Sequence, residues 1–188
     1  MARLPYISRD DTSGKSTDIY DHIAETRGSI SGKGMPRTFQ LLMNNEGSAE
    51  ALAGLGEHIR LGSSLDPVIR ETLILGTARA LNAEYEWAHH EPVAREVGVR
   101  EEVIESIRIG KAPMGLPAKE GVFVQVAKEF VRNGSVGERT FQAVEHLLGP
   151  AGTVETILVV GYYTMLHGVL ASLVGSDSVD VELDPSLD

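Results

Sequence analysis

Apolar positions recur at helical spacing along most of the chain. Period-two alternation is confined to Val179, Val181 and Leu183 near its end. The spacing predicts a helix over 67–81. Asp66 can cap it, and Pro67 fits the first helical position, where a missing N–H costs nothing. Apolar residues fall on more than one of its faces, the mark of a buried helix. Glu71 lies inside that wall, with Val68, Leu75 and Ala78 as same-face neighbours. A second helix is predicted over 83–97, on a stripe of Ala83, Trp87, His90, Ala94 and Val97, closed by Gly98. His90 faces inward on this stripe, and His89 is turned from it by about 100°.

The remaining pattern reads as more helices. A short one is expected over 36–43, and another from Ser48, read as its cap, to Leu61. Val99–Ile109 reads as the next, and Ala118–Asn133 follows a loop over 110–117. Asn133–Gly134 is a stop signal. Ser135, with Glu138 three residues later, resembles a capping box and opens a helix to Leu148. After Gly149–Gly152 a long apolar helix runs to near Gly175. Its segment Thr156–Val174 carries no charged residue and has the length of a bilayer span. His167, two tyrosines and two threonines interrupt it, and basic flanks are missing, so it reads as a central buried helix. The expected organisation is an N-terminal arm over 1–34, flexible or extended, a helical domain over 35–175, and an acidic mobile tail over 176–188. The glycine-rich run at 28–34 lacks the spacing of a phosphate loop, and no strand precedes it. Helices with short links imply an all-α packed domain. A faint echo joins Glu71-Thr-Leu-Ile-Leu to Glu155-Thr-Ile-Leu-Val, each opening a buried helix.

Charge and composition narrow the function classes. With 27 acidic and 17 basic residues among 188, the formal net charge is −10. That argues against nucleic-acid partners and against attraction to anionic membranes. A small anionic substrate stays open, because one local arginine can outweigh the global charge. The chain has no cysteine, which rules out disulfides, thiolate nucleophiles and cysteine-held metals. The first residues lack the apolar run of a signal peptide, so a cytoplasmic location is expected.

Candidate chemistry gathers on the two central helices. His90, an imidazole on an apolar stripe, can move protons near neutrality; the alternative is a core histidine bonded to a backbone carbonyl. A carboxylate walled by apolar side chains must be paired or protonated. Glu71 can therefore orient His90 or act as an acid, or it can be locked to Arg70 or Arg79. Glu86 lies one turn before His90. Glu71, Glu86 and His90 are the catalytic candidates, and as two carboxylates and one histidine they also form a candidate metal set. Trp87, Tyr85, Arg70, Arg79 and His89 are the substrate-binding candidates, with Tyr162, Tyr163 and His167 able to line the same cavity.

Glu71, the eleven residues after it, and then AEYEWAHHEPVAREVG resemble the carboxymuconolactone decarboxylase family, which includes the AhpD-like alkylhydroperoxidases. Redox members carry Cys-x-x-Cys-x-x-x-His at this spacing, followed by alanine and glycine at four-residue steps. Here the cysteine positions fall on Ala83 and Glu86, the histidine on His90, and the trailing pair on Ala94 and Gly98. The resemblance implies an AhpD-like all-α helical domain of a cysteine-free branch, assembled as a homo-oligomer, a trimer or hexamer. Thiol-dependent peroxide reduction needs a thiolate and a resolving partner, so that activity is not expected. The non-redox side of the family implies cofactor-free acid/base chemistry, decarboxylation or isomerisation, on a small carbonyl or lactone acid. A non-catalytic small-molecule binder or structural oligomer is the alternative, and metal-assisted chemistry is another.

Overall fold

In a computed structural model, residues 2–31, 34–110 and 118–175 are described, and they form an all-α protein with no strand among them. The helices are α1 (Lys15–Ser31), α2 (Arg37–Leu42), α3 (Glu46–Glu57), α4 (Pro67–Leu81), α5 (Glu84–Val97), α6 (Glu101–Arg108), α7 (Ala118–Asn133) and α8 (Glu138–Val174). A five-residue π-helical turn, His58–Gly62, follows α3. The chain divides into two compact units, one of Met1–Gly62 with Gly168–Asp188 and one of Ser63–His167.

The first unit corrects the expectation of an extended arm. Lys15–Ser31 forms a helix whose polar composition hides an apolar stripe of Ile19, Ile23 and Tyr20, all buried. Interhelical contacts hold it. Arg27 donates to the Ala53 carbonyl and lies over the Phe39 ring, while Lys15 reaches Glu50 and His22 reaches Glu57. Asn45 caps α3 by accepting from the Ser48 amide, so Ser48 is the donor in that cap and not the capping side chain. The loop at 111–117 and the tail at 176–188 lie outside the described residues.

The second unit contains the central helices. Asp66 caps α4 through the Val68 amide, 2.8 Å away, and Pro67 follows. Residues 71–78 of α4 are all buried, and α4 packs closely on α7. Gly76 permits that approach, since a Cβ there would meet the Ala127 methyl at 2.9 Å. Asn82, in the left-handed conformation, reverses the chain into α5 with almost no loop, and Gly98 ends α5 in the same conformation. Trp87, Ala94, Val103, Ile104 and Ile107 join Leu75 in one apolar cluster of α4, α5 and α6.

The start of α8 differs from the capping-box expectation. The helix begins at Glu138, not after Ser135. Glu129 of α7 supplies the clamp, accepting from the Gly137 amide at 2.8 Å and the Thr140 hydroxyl at 2.9 Å. Burial pushes the Glu129 carboxyl up, and the hydrogen bonds from Gln125, Gly137 and Thr140 together outweigh it, holding it below the usual carboxylate range. Gly149 breaks the helical conformation, and Pro150 starts a new run, so 138–148 and 150–174 are two helical rods. The second rod is apolar and long enough to cross a membrane by composition alone. Val159, Val160, Tyr162, Tyr163 and Leu166 on it are buried.

Candidate functional site

Three buried groups of the second unit, Glu71, Glu86 and Tyr163, converge on His90. Helix α4 carries Glu71 into the apolar wall, and the reversal at Asn82 returns α5 alongside it, bringing His90 opposite Glu71. The Glu71 side chain is 2% exposed as a residue and His90 5%. Nδ1 of His90 stands 2.9 Å from Oε2 of Glu71. With the carboxylate oxygen as acceptor, Nδ1 is the donor of this bond and Nε2 is left to face the other side of the ring. On that side Nε2 meets the Tyr163 hydroxyl at 3.2 Å and the Glu86 carboxylate at 4.0 Å. The Tyr163 ring stands edge-on to the imidazole, and Tyr162 packs edge-on against Tyr163. The other Glu71 oxygen faces Nε of Arg70 at 3.4 Å.

The result is a carboxylate–imidazole–phenol series with a second carboxylate beside it. Glu71 fixes the ring and its tautomer, as the acid does in any such series. The phenolic proton can pass to Nε2, and the imidazolium that forms is then flanked by Glu71 and Glu86. These groups are buried, so Coulomb attraction among them is stronger than in water.

The substrate-binding candidates are dispersed. Arg70 adjoins Glu71. Tyr85 is buried and stacks on His89, with ring centroids 4.3 Å apart. His89 Nδ1 lies 2.8 Å from the Tyr85 carbonyl, so the histidine held by a backbone carbonyl is His89 and not His90. Trp87 belongs to the apolar cluster with α6, donates to Glu91 at 2.7 Å and lies under the Arg108 guanidinium. Burial pushes the Glu91 carboxyl up. Hydrogen bonds from Trp87, Arg95 and Arg108 outweigh it and hold it below the usual range. Arg79 sits at the far end of α4, bonded to the Arg108 carbonyl and to Asn82.

The candidate metal set does not form. Glu71 and Glu86 stand against opposite nitrogens of the His90 ring, so the three share no single coordination point. Among the described residues no group of three or more histidine, cysteine, aspartate or glutamate side chains is arranged to hold a metal ion. Tyr163 is the residue that sequence reasoning left among the possible cavity linings. A usable signal existed: Tyr163 lies on the Val159, Leu166 and Leu170 side of α8, and a buried phenol seeks a polar partner.

Residues 46–129 match the family model of the carboxymuconolactone decarboxylase family. Among solved structures, the chain is similar to an uncharacterized peroxidase-related protein from Silicibacter sp. TM1040. The TM-score is 0.71 at 16% identity, over 92% of this chain and 89% of that one. At that identity the likeness is one of fold. The comparison with curated proteins gives no match.

Proposed function

We propose, for a cysteine-free chain whose residues 46–129 match the model of the carboxymuconolactone decarboxylase family, cofactor-free acid/base catalysis on a small carbonyl or lactone acid. The observation that supports this reading is the buried Glu71–His90–Tyr163 series, with a carboxylate on one ring nitrogen and a phenol on the other. In an isomerisation, the phenolic proton moves to Nε2 as the phenolic oxygen takes a proton from the carbon next to the substrate carbonyl. The electron pair spreads into that carbonyl, and the proton returns to a different carbon. Decarboxylation uses the second half. The carbon–carboxylate bond breaks, its electron pair enters the conjugated carbonyl, carbon dioxide leaves, and Tyr163 protonates the carbon; one proton from water, relayed through His90, then restores the phenol. Glu71 stabilises the imidazolium, and Glu86 polarises substrate or water. Thiol-based peroxide reduction has no nucleophile in this chain.

The test is a panel of small unsaturated lactone acids and β-keto acids in deuterated water, followed by NMR for loss of the carboxylate carbon and for deuterium uptake. Wild type turns over a member of the panel. His90→Gln, Glu71→Gln and Tyr163→Phe each lower the rate by about 100-fold or more while remaining folded. A rate that survives in His90→Gln overturns the reading. A second reading is supported by the burial of all four groups, including Glu86 at 8% and Tyr163 at 5% exposure. In it the series is a polar lock joining α4, α5 and α8 in a non-catalytic binder. Absence of turnover across the panel, together with a folding loss in all three variants, selects that second reading.

A further inference from the structure

Away from the His90 series, the second unit has an open cleft of about 490 Å³ against the first turns of α4 and α7 and the end of the 138–148 rod. That volume is in the range of small-molecule sites. Its walls are apolar: Val68, Ile69, Phe123, Leu147 and Leu148. Leu147 is 37% exposed, so the apolar surface faces the opening. The polar groups around it are nearly all engaged. The Thr72 hydroxyl donates to the Val68 carbonyl at 2.7 Å, and Asp66 accepts from the Val68 amide. Both oxygens of Glu120 are held by the Arg100 guanidinium, at 2.8 and 2.5 Å. Lys119 is the exception. It is exposed at the rim, and no hydrogen-bond or ion-pair partner for it exists among the described residues. The smaller pocket beside Trp87 offers no comparable group, because Arg79 and Arg108 are both bonded there.

We propose that this cleft binds a monocarboxylate with an apolar body, its tail against Ile69, Phe123 and Leu148 and its carboxylate on Lys119. Glu120 is neutralised by Arg100, and the Asp66 charge faces the amides of its own helix start, which leaves Lys119 as the charge that selects the head group. The inference does not depend on the catalytic reading, since none of the Glu71, His90, Glu86 or Tyr163 side chains lines the cleft.

The experiment uses the full chain and three probes of equal length: octanoate, 1-octanol and octylammonium, each titrated at millimolar concentration against methyl NMR signals. Octanoate is expected to give saturable shifts at Ile69, Leu147 and Leu148 and to bind more tightly than the other two. Lys119→Glu, an exposed change that leaves the fold intact, is expected to weaken octanoate roughly fivefold and leave 1-octanol unchanged. Leu147→Trp, which fills the opening, abolishes the shifts of all three probes. The proposal is overturned if octanoate gives no saturable shift at these methyls. It is overturned equally if octylammonium binds as tightly as octanoate, or if Lys119→Glu weakens octanoate and octanol alike.

Discussion

The sequence Glu-Thr-Leu-Ile-Leu opens the buried part of α4, and Glu-Thr-Ile-Leu-Val recurs at 155–159 in α8. The two glutamates do different work. Glu71 is sealed and orients the His90 ring. Glu155 is half-buried and clamps the chain before α4, accepting from the Ser64 amide at 3.1 Å and the Ser64 hydroxyl at 2.7 Å. What differs is the partner. Helix α4 is followed at once by α5, whose stripe presents an imidazole, whereas the 155–159 segment faces the entry to α4. The local motif therefore sets the helix, and the element packed across from it sets both the burial and the chemistry of its carboxylate.

The largest expected contrast comes from one substitution made twice. Glu71→Ala removes an interior carboxylate and leaves Nδ1 of His90 and Nε of Arg70 without it, at a cost of about 3–5 kcal/mol. Glu155→Ala removes a clamp whose donors can turn to water, at a cost of about 1 kcal/mol. Urea midpoints measured side by side decide this, and equal losses would show that the two carboxylates are equivalent structural ties.

Glu129 extends the comparison to pH, because it clamps the start of α8 as Glu155 clamps the entry to α4. Its folded carboxyl is held below its ordinary value. Its contribution is thus fully present above about pH 4.3, the unfolded value, and is lost as pH falls through the lower folded value. Unfolding free energy measured against pH should decline on that acid side, and Glu129→Gln should flatten the decline. An unchanged slope would show that other carboxylates carry the acid response.

How much of this was readable follows the range of the interactions. Helix α4 was readable because Asp66 and Pro67 act within one turn, and Asn133–Gly134 marked the end of α7 for the same reason. The pairing of Glu71 with His90 was readable only as one option beside a lock to Arg70 or Arg79, because the tight reversal brings the two helices alongside each other without fixing which partner each oxygen meets. The partner on Nε2 was not, since Tyr163 is 73 residues away. Helix α1 was hidden by its polar surface and is held by contacts to α3 that no local pattern announces. The Glu129 clamp, eight residues before the Gly137 amide it binds, displaced the local Ser135 signal in the same way.

The smallest expected effect concerns the threonines that follow the two glutamates, and here the expected signs are opposite. The Thr72 hydroxyl donates to the Val68 carbonyl at 2.7 Å. The Thr156 hydroxyl is fully buried with no hydrogen-bond partner among the described residues. Valine matches threonine in shape and has nearly the same helix propensity, so replacing each reports the hydroxyl alone. Thr72→Val loses a satisfied bond and should cost up to about 1 kcal/mol. Thr156→Val removes an unsatisfied buried dipole and should be neutral or stabilising by up to about 1 kcal/mol. Thermal unfolding of the two variants beside wild type checks the signs. A loss in Thr156→Val as large as that in Thr72→Val would mean that the Thr156 hydroxyl has a partner, and the two copies of the motif would then differ only at the carboxylate.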